Sequence, residues 1–102
     1  MQLLTDELRA TLPKLYAQES EEDKMVYAKF FTPWTGWTWF VTEGQQEDDD
    51  FLFFGFVIGL EHEWGYFVLS ELEGIRGPGG LRIERDLHFT PKRQSQIAEI
   101  DR

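Results

Sequence analysis

The side chains best suited to hold a metal ion are those of Glu61, His62 and Glu63. Imidazole and carboxylate groups are common ligands of zinc and iron, so this triplet could supply part of a site. Adjacent residues in a turn rarely converge on one ion, however, and the second histidine, His88, is distant in sequence. A polar turn therefore explains the triplet better than a metal centre does, and we expect neither a metal nor a cofactor.

A second candidate for ion binding is the run Asp48-Asp49-Asp50. Three carboxylates could gather calcium, but an EF-hand loop alternates its oxygen ligands and carries a central glycine, and this run has neither feature. Because unneutralised carboxylates repel one another and resist burial, we expect Glu43 to Asp50 to form a solvated loop.

The chain offers no clear nucleophile or acid–base pair. It contains no cysteine and no Gly-x-Ser-x-Gly motif. Ser70 begins a Ser-x-x-Glu capping box with Glu73 at N3, which predicts a short helix ending near Gly77 and Pro78. Carboxylates are abundant, but nothing selects two of them for catalysis. We therefore expect a protein that is not an enzyme, with a carboxylate-dependent or His62-centred metal enzyme as an alternative.

The charge balance points to a protein partner. The net charge is −9, with −11 in residues 1–75 and +2 in residues 76–102. Phosphate affinity comes from lysine and arginine, so direct nucleic-acid binding is disfavoured. An acidic surface favours basic partners, among them proteins whose own grooves bind nucleic acid. The plainer interpretation is that negative charge keeps a small protein soluble.

The candidate partner-binding sites are two acidic runs, the two glutamates on either side of His62, and one tryptophan. Trp34 lies between Pro33 and Gly36 in a predicted turn and should be the most exposed tryptophan. The other tryptophans are expected in the core, because a base-stacking platform would be rimmed with lysine and arginine. The full candidate set is Glu19, Glu21, Glu22, Asp23, Glu47, Asp48, Asp49, Asp50, Glu61, Glu63 and Trp34.

The elements that position these residues follow from hydrophobic periodicity. Thr5 to Leu12 predicts a short helix with Thr5 as N-cap, which Pro13 ends. Alternation predicts strands over four segments, of which the third is apolar on both faces and therefore central. These segments are Met25 to Phe31, Trp37 to Thr42, Phe51 to Ile58 and Trp64 to Leu69.

The C-terminal part is less regular. Asp86 to Phe89 is expected as a short edge strand, which Pro91 keeps from being long. Ser95 could cap a frayed helix containing Ile97 and Ile100, or residues 92–102 could form a mobile tail. We expect one α+β domain over residues 1–102, in which two short helices pack on one face of an antiparallel meander of four to five strands.

An ordered series of short motifs covers about residues 3–89. The motifs are Leu3-Leu4-Thr5, Leu12-Pro13-Lys14-Leu15-Tyr16, Lys29-Phe30-Phe31-Thr32-Pro33, Trp37-Thr38-Trp39, Phe53-Phe54-Gly55, Gly59-Leu60-Glu61, Gly65-Tyr66-Phe67, Leu69-Ser70-Glu71-Leu72, Arg76-Gly77 and Glu84-Arg85-Asp86. The series resembles a small bacterial family filed as domain of unknown function 2958, and no catalytic residues come with the resemblance.

The resemblance implies a protein of plasmids, phages and integrated elements, with at least one member similar to an inhibitor of a type II CRISPR effector nuclease. We therefore expect a cytoplasmic anti-CRISPR protein whose carboxylates imitate phosphates in the basic groove of a host defence nuclease. The alternatives are an adaptor that binds another protein through exposed aromatics and, as above, an enzyme. No membrane association is expected, and edge strands allow a monomer or a weak dimer.

Overall fold

A computed structural model describes residues 1–100. The helices and strands, in chain order, are α1 (Asp6–Thr11), β1 (Met25–Val26), β2 (Ala28–Phe31), β3 (Thr38–Glu47), β4 (Asp50–Ile58), β5 (His62–Val68), α2 (Leu69–Gly74), β6 (Glu84–Arg85) and β7 (Lys92–Arg93). The centre of the fold is a five-stranded antiparallel sheet in the spatial order β5-β4-β3-β2-β6, and a separate two-stranded sheet joins β1 to β7. Single 3₁₀ turns cover Pro78–Gly80 and Gln94–Gln96.

The helix α1 confirms the prediction made from its capping residue. The Thr5 hydroxyl oxygen accepts a hydrogen bond from the Leu8 backbone N–H at 3.1 Å. Asp6 and Glu7 occupy the first turn, where the partial positive charge of the helix N-terminus favours carboxylates. The helix then ends at Leu12, one residue before Pro13.

Each face of the sheet carries its own cluster of buried side chains. On the helix face, α1, α2 and the N-terminal residues cover the large rings of β2, β4 and β5. Phe53 is fully buried there, and its ring lies 5.6 Å from Phe30 and 5.4 Å from Phe67. The burial of β4 on both faces and its place between β3 and β5 confirm that this strand is internal. The α+β class with helices on one face is therefore confirmed.

The opposite face, here called the tail face, is covered over part of its area by the C-terminal segment. Ile97 and Ile100 are buried against Phe40 and Phe56. Residues 92–100, for which the sequence allowed a frayed helix or a mobile tail, form β7, a 3₁₀ turn and this apolar contact. Residues 101 and 102 lie outside the described part of the chain.

Four predicted element boundaries were wrong. β3 continues through Glu43 to Glu47, so the expected loop is a long hairpin that turns at two residues. The predicted strand over residues 25–31 divides in two, because β1 leaves the main sheet to pair with β7. The expected edge strand at residues 86–89 is displaced to Glu84–Arg85, which pairs with β2. The helix α2 begins two residues earlier than the capping box predicted, with Val68 instead of Ser70 at the N-cap.

No helix within residues 1–100 is long and apolar enough to cross a membrane.

Candidate functional site

The first candidate region is the acidic turn, defined as residues 47–50. Glu47 lies opposite Asp50 in the ladder, so Asp48 and Asp49 alone connect β3 to β4. Asp48 has a φ of 52°, a left-handed conformation that aspartate tolerates better than most residues. Its carbonyl oxygen accepts a hydrogen bond from Gln46 Nε2 at 2.8 Å. Three exposed carboxylates, those of Glu47, Asp48 and Asp49, therefore project from a short, hydrogen-bonded turn.

Asp50 has a different role from its three neighbours. Its Oδ1 accepts hydrogen bonds from the Phe51 N–H at 2.8 Å and the Ser70 N–H at 3.1 Å, and its Oδ2 accepts one from the Ser70 hydroxyl at 2.5 Å. These bonds, with the Ser70 hydroxyl first, hold the pKa of Asp50 below its usual value of 3.8. Ser70 is thus not the helix cap that the sequence predicted. It ties the start of α2 to the hairpin.

The second region is the acidic loop, defined as residues 19–23. Asp23 is bound in the same way as Asp50, since Oδ1 accepts from the Ser95 N–H at 3.0 Å and Oδ2 from the Ser95 hydroxyl at 2.8 Å. The Ser95 bonds, followed by the charge of Arg93, lower the pKa of Asp23. Glu21 lies 3.8 Å from Arg93 in an exposed ion pair. Ser95 therefore anchors the loop instead of capping a helix.

Glu61 and Glu63 lie far from the acidic turn. They flank the start of β5, whose His62 pairs with Ile58 at the other end of β4. Eight residues separate Asp50 from Ile58, a length of roughly 26 Å in a strand. The predicted carboxylates therefore do not form one patch. Within residues 1–100, no three His, Asp or Glu side chains are grouped closely enough to hold a metal ion.

A third region, which the sequence did not predict, is a cleft on the tail face with a volume of about 120 Å³. We call it the tyrosine cleft, and it is lined by Tyr16, Glu19, Lys24, Glu43, Phe54 and Tyr66. Glu43 is only 3% exposed, and its two carboxylate oxygens accept the N–H groups of Tyr16 at 2.8 Å and Gln18 at 2.7 Å. Tyr16 has a φ of 72°, which is uncommon for a residue other than glycine.

The two phenols of the tyrosine cleft interact with each other. Tyr16 and Tyr66 remain 63% and 51% exposed. A hydrogen bond with Tyr16 is the largest of several effects that raise the pKa of Tyr66 to about 12. Desolvation adds to it, as do the negative charges of Glu43 and Glu19. The two carboxylates therefore give the mouth of the cleft a negative electrostatic potential.

The sequence contains one signal that could have indicated the cleft. In the sequence, the carboxylate of Glu43 directly follows a strongly apolar alternating strand. In the structure, the ladder shifts register at this position, between Val41 and Glu43. Such bulges often redirect a side chain near a functional site. Nothing in the sequence near Tyr16 indicates its left-handed backbone.

The fourth region, called the tryptophan groove, has a volume of about 290 Å³. Its lining residues are Thr32, Trp34, Thr35, Trp37, Trp39, Ile75 and Arg76. Trp34 is half-buried, with its ring directly over the Cα of Gly77, and Trp37 lies in the same manner over Gly59. Trp37 is 38% exposed, so the prediction that Trp34 would be the most exposed tryptophan was wrong.

Comparison with known proteins yields one family and no individual relative. The chain matches no curated protein and no solved structure. A family model matches residues 3–101, nearly the whole chain. The chain therefore belongs to the family described as protein of unknown function, DUF2958.

Proposed function

We propose that this protein is a non-enzymatic inhibitor that binds a basic, nucleic-acid-binding groove of a host defence nuclease. The resemblance described above suggests a type II CRISPR effector nuclease as the target. The bacterial cytoplasm is the compartment in which such an encounter takes place. The inhibitor works by occupancy: its carboxylates take positions that phosphates of DNA or guide RNA would otherwise fill.

The observation that carries the proposal is the acidic turn. Glu47, Asp48 and Asp49 are exposed, and none of them has an ion-pair partner among residues 1–100. The turn joins two long paired strands, so the charges are held in place before binding. Preorganisation of this kind limits the ordering cost of association.

The side-chain arrangement supports binding better than catalysis. The carboxylates of Asp23 and Asp50 accept hydrogen bonds from serine residues, and the carboxylate of Glu43 accepts two from backbone N–H groups. The exposed carboxylates of Glu47, Asp48 and Asp49 project from a tight turn, where they are accessible to the surface of a partner. General acid–base catalysis instead requires a group within hydrogen-bond reach of a bound substrate.

A cleavage assay tests the proposal. Purified type II CRISPR nuclease, guide RNA and target DNA are incubated with and without the protein at about 50 mM and 300 mM salt. Inhibition that weakens at the higher salt is expected, because exposed charges are screened within about 10 Å at 0.1 M. Full cleavage at every ratio of protein to nuclease would contradict the proposal for this class of target.

The tryptophan groove favours a second candidate function. An exposed Trp37 in a groove with two further indoles is typical of a protein-binding hot spot. The protein would then act as an adaptor of a mobile element that binds a partner through aromatic contacts. Replacement of Trp37 with alanine separates the two, because it would abolish adaptor binding and leave charge-dependent inhibition unchanged.

A further inference from the structure

The tyrosine cleft contains a backbone conformation that costs free energy. A left-handed φ is strained at a residue other than glycine, and such residues cluster at binding sites. Here the cost falls on Tyr16, whose side chain stays 63% exposed. The buried carboxylate of Glu43 stabilises the conformation by accepting the Tyr16 N–H. The fold thus places an exposed phenol in the same cleft as Tyr66.

The charges around the cleft favour a cation. Glu19 and Glu43 line it, and neither forms an ion pair with a residue in the 1–100 range. The one cation in the lining, Lys24, donates to the carbonyl oxygens of Gln18 at 2.9 Å and Glu21 at 2.7 Å. Its ammonium is therefore directed to backbone oxygens, and the two carboxylates leave the cleft with a net negative charge.

Aromatic rings form the rest of the site. The Phe54 ring lies 4.9 Å from Tyr66 and stacks on Trp64 at 6.0 Å. Ring faces attract cations, most strongly where water is partly excluded. Lys24 Nζ already lies 5.9 Å from the Trp64 ring centroid, which places a cation against this aromatic row.

We propose that the tyrosine cleft receives one arginine side chain of the basic partner. The identity of that partner rests on the proposed function; the chemistry of the cleft does not. A guanidinium is planar, so it can stack on Phe54 or Tyr66 while its N–H groups donate to Glu19 and to phenolic oxygens. A lysine ammonium lacks the planar surface. Buried arginines next to aromatics are typical hot spots of interfaces.

The direct test uses a small probe, N-acetyl-L-arginine amide, titrated into the full chain and followed by amide NMR spectra. The matched controls are N-acetyl-L-citrulline amide, which is neutral and of the same shape, and N-acetyl-L-lysine amide. We expect saturable shifts confined to the amides of Tyr16, Glu19, Phe54 and Tyr66 for arginine, weaker ones for lysine and none for citrulline. Equal shifts with arginine and citrulline, or shifts confined to the acidic turn, would overturn the assignment.

Two exposed glutamates of the same loop provide matched variants. Glu19→Gln should weaken binding of the probe about two- to five-fold, which is the range of an exposed ion pair. Glu22→Gln should leave it unchanged, because Glu22 does not line the cleft. Equal effects of the two variants would mean that the probe senses only net charge and would contradict the inference.

The cleavage assay distinguishes failure of this inference from failure of the proposed function. Tyr66→Ala should weaken inhibition of the nuclease at least ten-fold with unchanged amide spectra elsewhere. If the protein binds the arginine probe in the cleft but does not inhibit the nuclease, the cleft assignment stands and the proposed function is wrong. If the protein inhibits the nuclease without binding the probe, and Tyr66→Ala inhibits as well as the unchanged protein does, the cleft assignment is wrong and the proposed function stands.

Discussion

The acidic turn and the acidic loop have almost the same composition but are held in different ways. Each contains four carboxylates, and in each the last one is an aspartate bound by a serine N–H and hydroxyl. The turn is fixed locally by the ladder between β3 and β4. The loop is fixed from a distance, because its serine belongs to the C-terminal segment some 70 residues away.

This comparison shows that a run of like charges in sequence is not a uniform surface. Asp50 and Asp23 are structural, because their oxygens are occupied by donors from another segment. Glu21 is partly neutralised by Arg93, whereas Glu47, Asp48 and Asp49 form no ion pair with any residue from 1 to 100. The turn thus offers three carboxylates in fixed positions. The loop offers Glu19 at the tyrosine cleft and Glu22 in solvent.

The largest effect should come from breaking the attachment of the C-terminal segment. Ile97→Ala removes a side chain buried against Phe40 and Phe56 and should lower the free energy of unfolding by about 2–5 kcal/mol. Such a loss is a substantial part of the usual 5–15 kcal/mol. Chemical denaturation measures it, with the exposed Glu99→Ala as the control.

Hydrogen exchange on the same variant sharpens the comparison between the two runs. The Ser95 and Gln94 bonds to Asp23 and Lys24 should open more often, so amides of residues 19–26 should exchange faster in Ile97→Ala. Once the lower global stability of Ile97→Ala is taken into account, amides of the acidic turn should exchange no faster than in the unchanged protein. Equal loss of protection in both runs would show that the loop does not depend specifically on the C-terminal segment.

A smaller effect is expected from neutralising the two serine-bound aspartates. Asp23→Asn and Asp50→Asn should each lower Tm at pH 7 by less than Ile97→Ala does, and Glu22→Gln and Asp49→Asn should leave Tm nearly unchanged. Because both folded pKa values lie below 3.8, the stabilisation is present above that pH and is lost as pH falls through the folded values. Thermal denaturation from pH 7 to about pH 2 measures this loss, which should be smaller in the Asn variants. An unchanged pH profile would contradict the roles of Ser70 and Ser95.

The smallest effect concerns the phenols of the tyrosine cleft. Absorbance at alkaline pH should show Tyr66 ionising near pH 12, and Tyr16→Phe should move its pKa down toward 10. The raised pKa disfavours the ionised form in the folded state, so stability should fall as the pH rises from about 10 to 12. Tyr27→Phe is the matched control. If the pKa of Tyr66 is unchanged in Tyr16→Phe, the Tyr16 hydroxyl is not what raises it.

Much of the fold follows from local signals in the sequence. The cap at Thr5, the stop at Pro13 and the doubly apolar β4 indicate their elements because capping and burial are short-range effects. The extension of β3 through Gln45 and Gln46 could not be predicted in this way. Those residues are polar, and they form a strand because β4 pairs with them, not because they bury a face.

The parts of the site that escaped prediction depend on contacts between distant segments. Gln18 and Glu43 are 25 residues apart, and Asp23 and Ser95 are 72 apart. A single sequence gives the residue types but not these pairings. The candidate acids are exposed or half-exposed in the structure. The distinction between carboxylates with structural hydrogen bonds and those without them required the fold.

The most direct test of the central claim compares two double charge reversals in the nuclease cleavage assay. Glu47→Lys with Asp49→Lys changes the acidic turn, and Glu61→Lys with Glu63→Lys makes the same change in net charge at the other end of the sheet. We predict that the turn variant loses inhibition at least ten-fold at low salt, while the other variant changes by less than about three-fold. Equal losses in the two variants, or full inhibition by the turn variant, would contradict the claim that the acidic turn is the main contact.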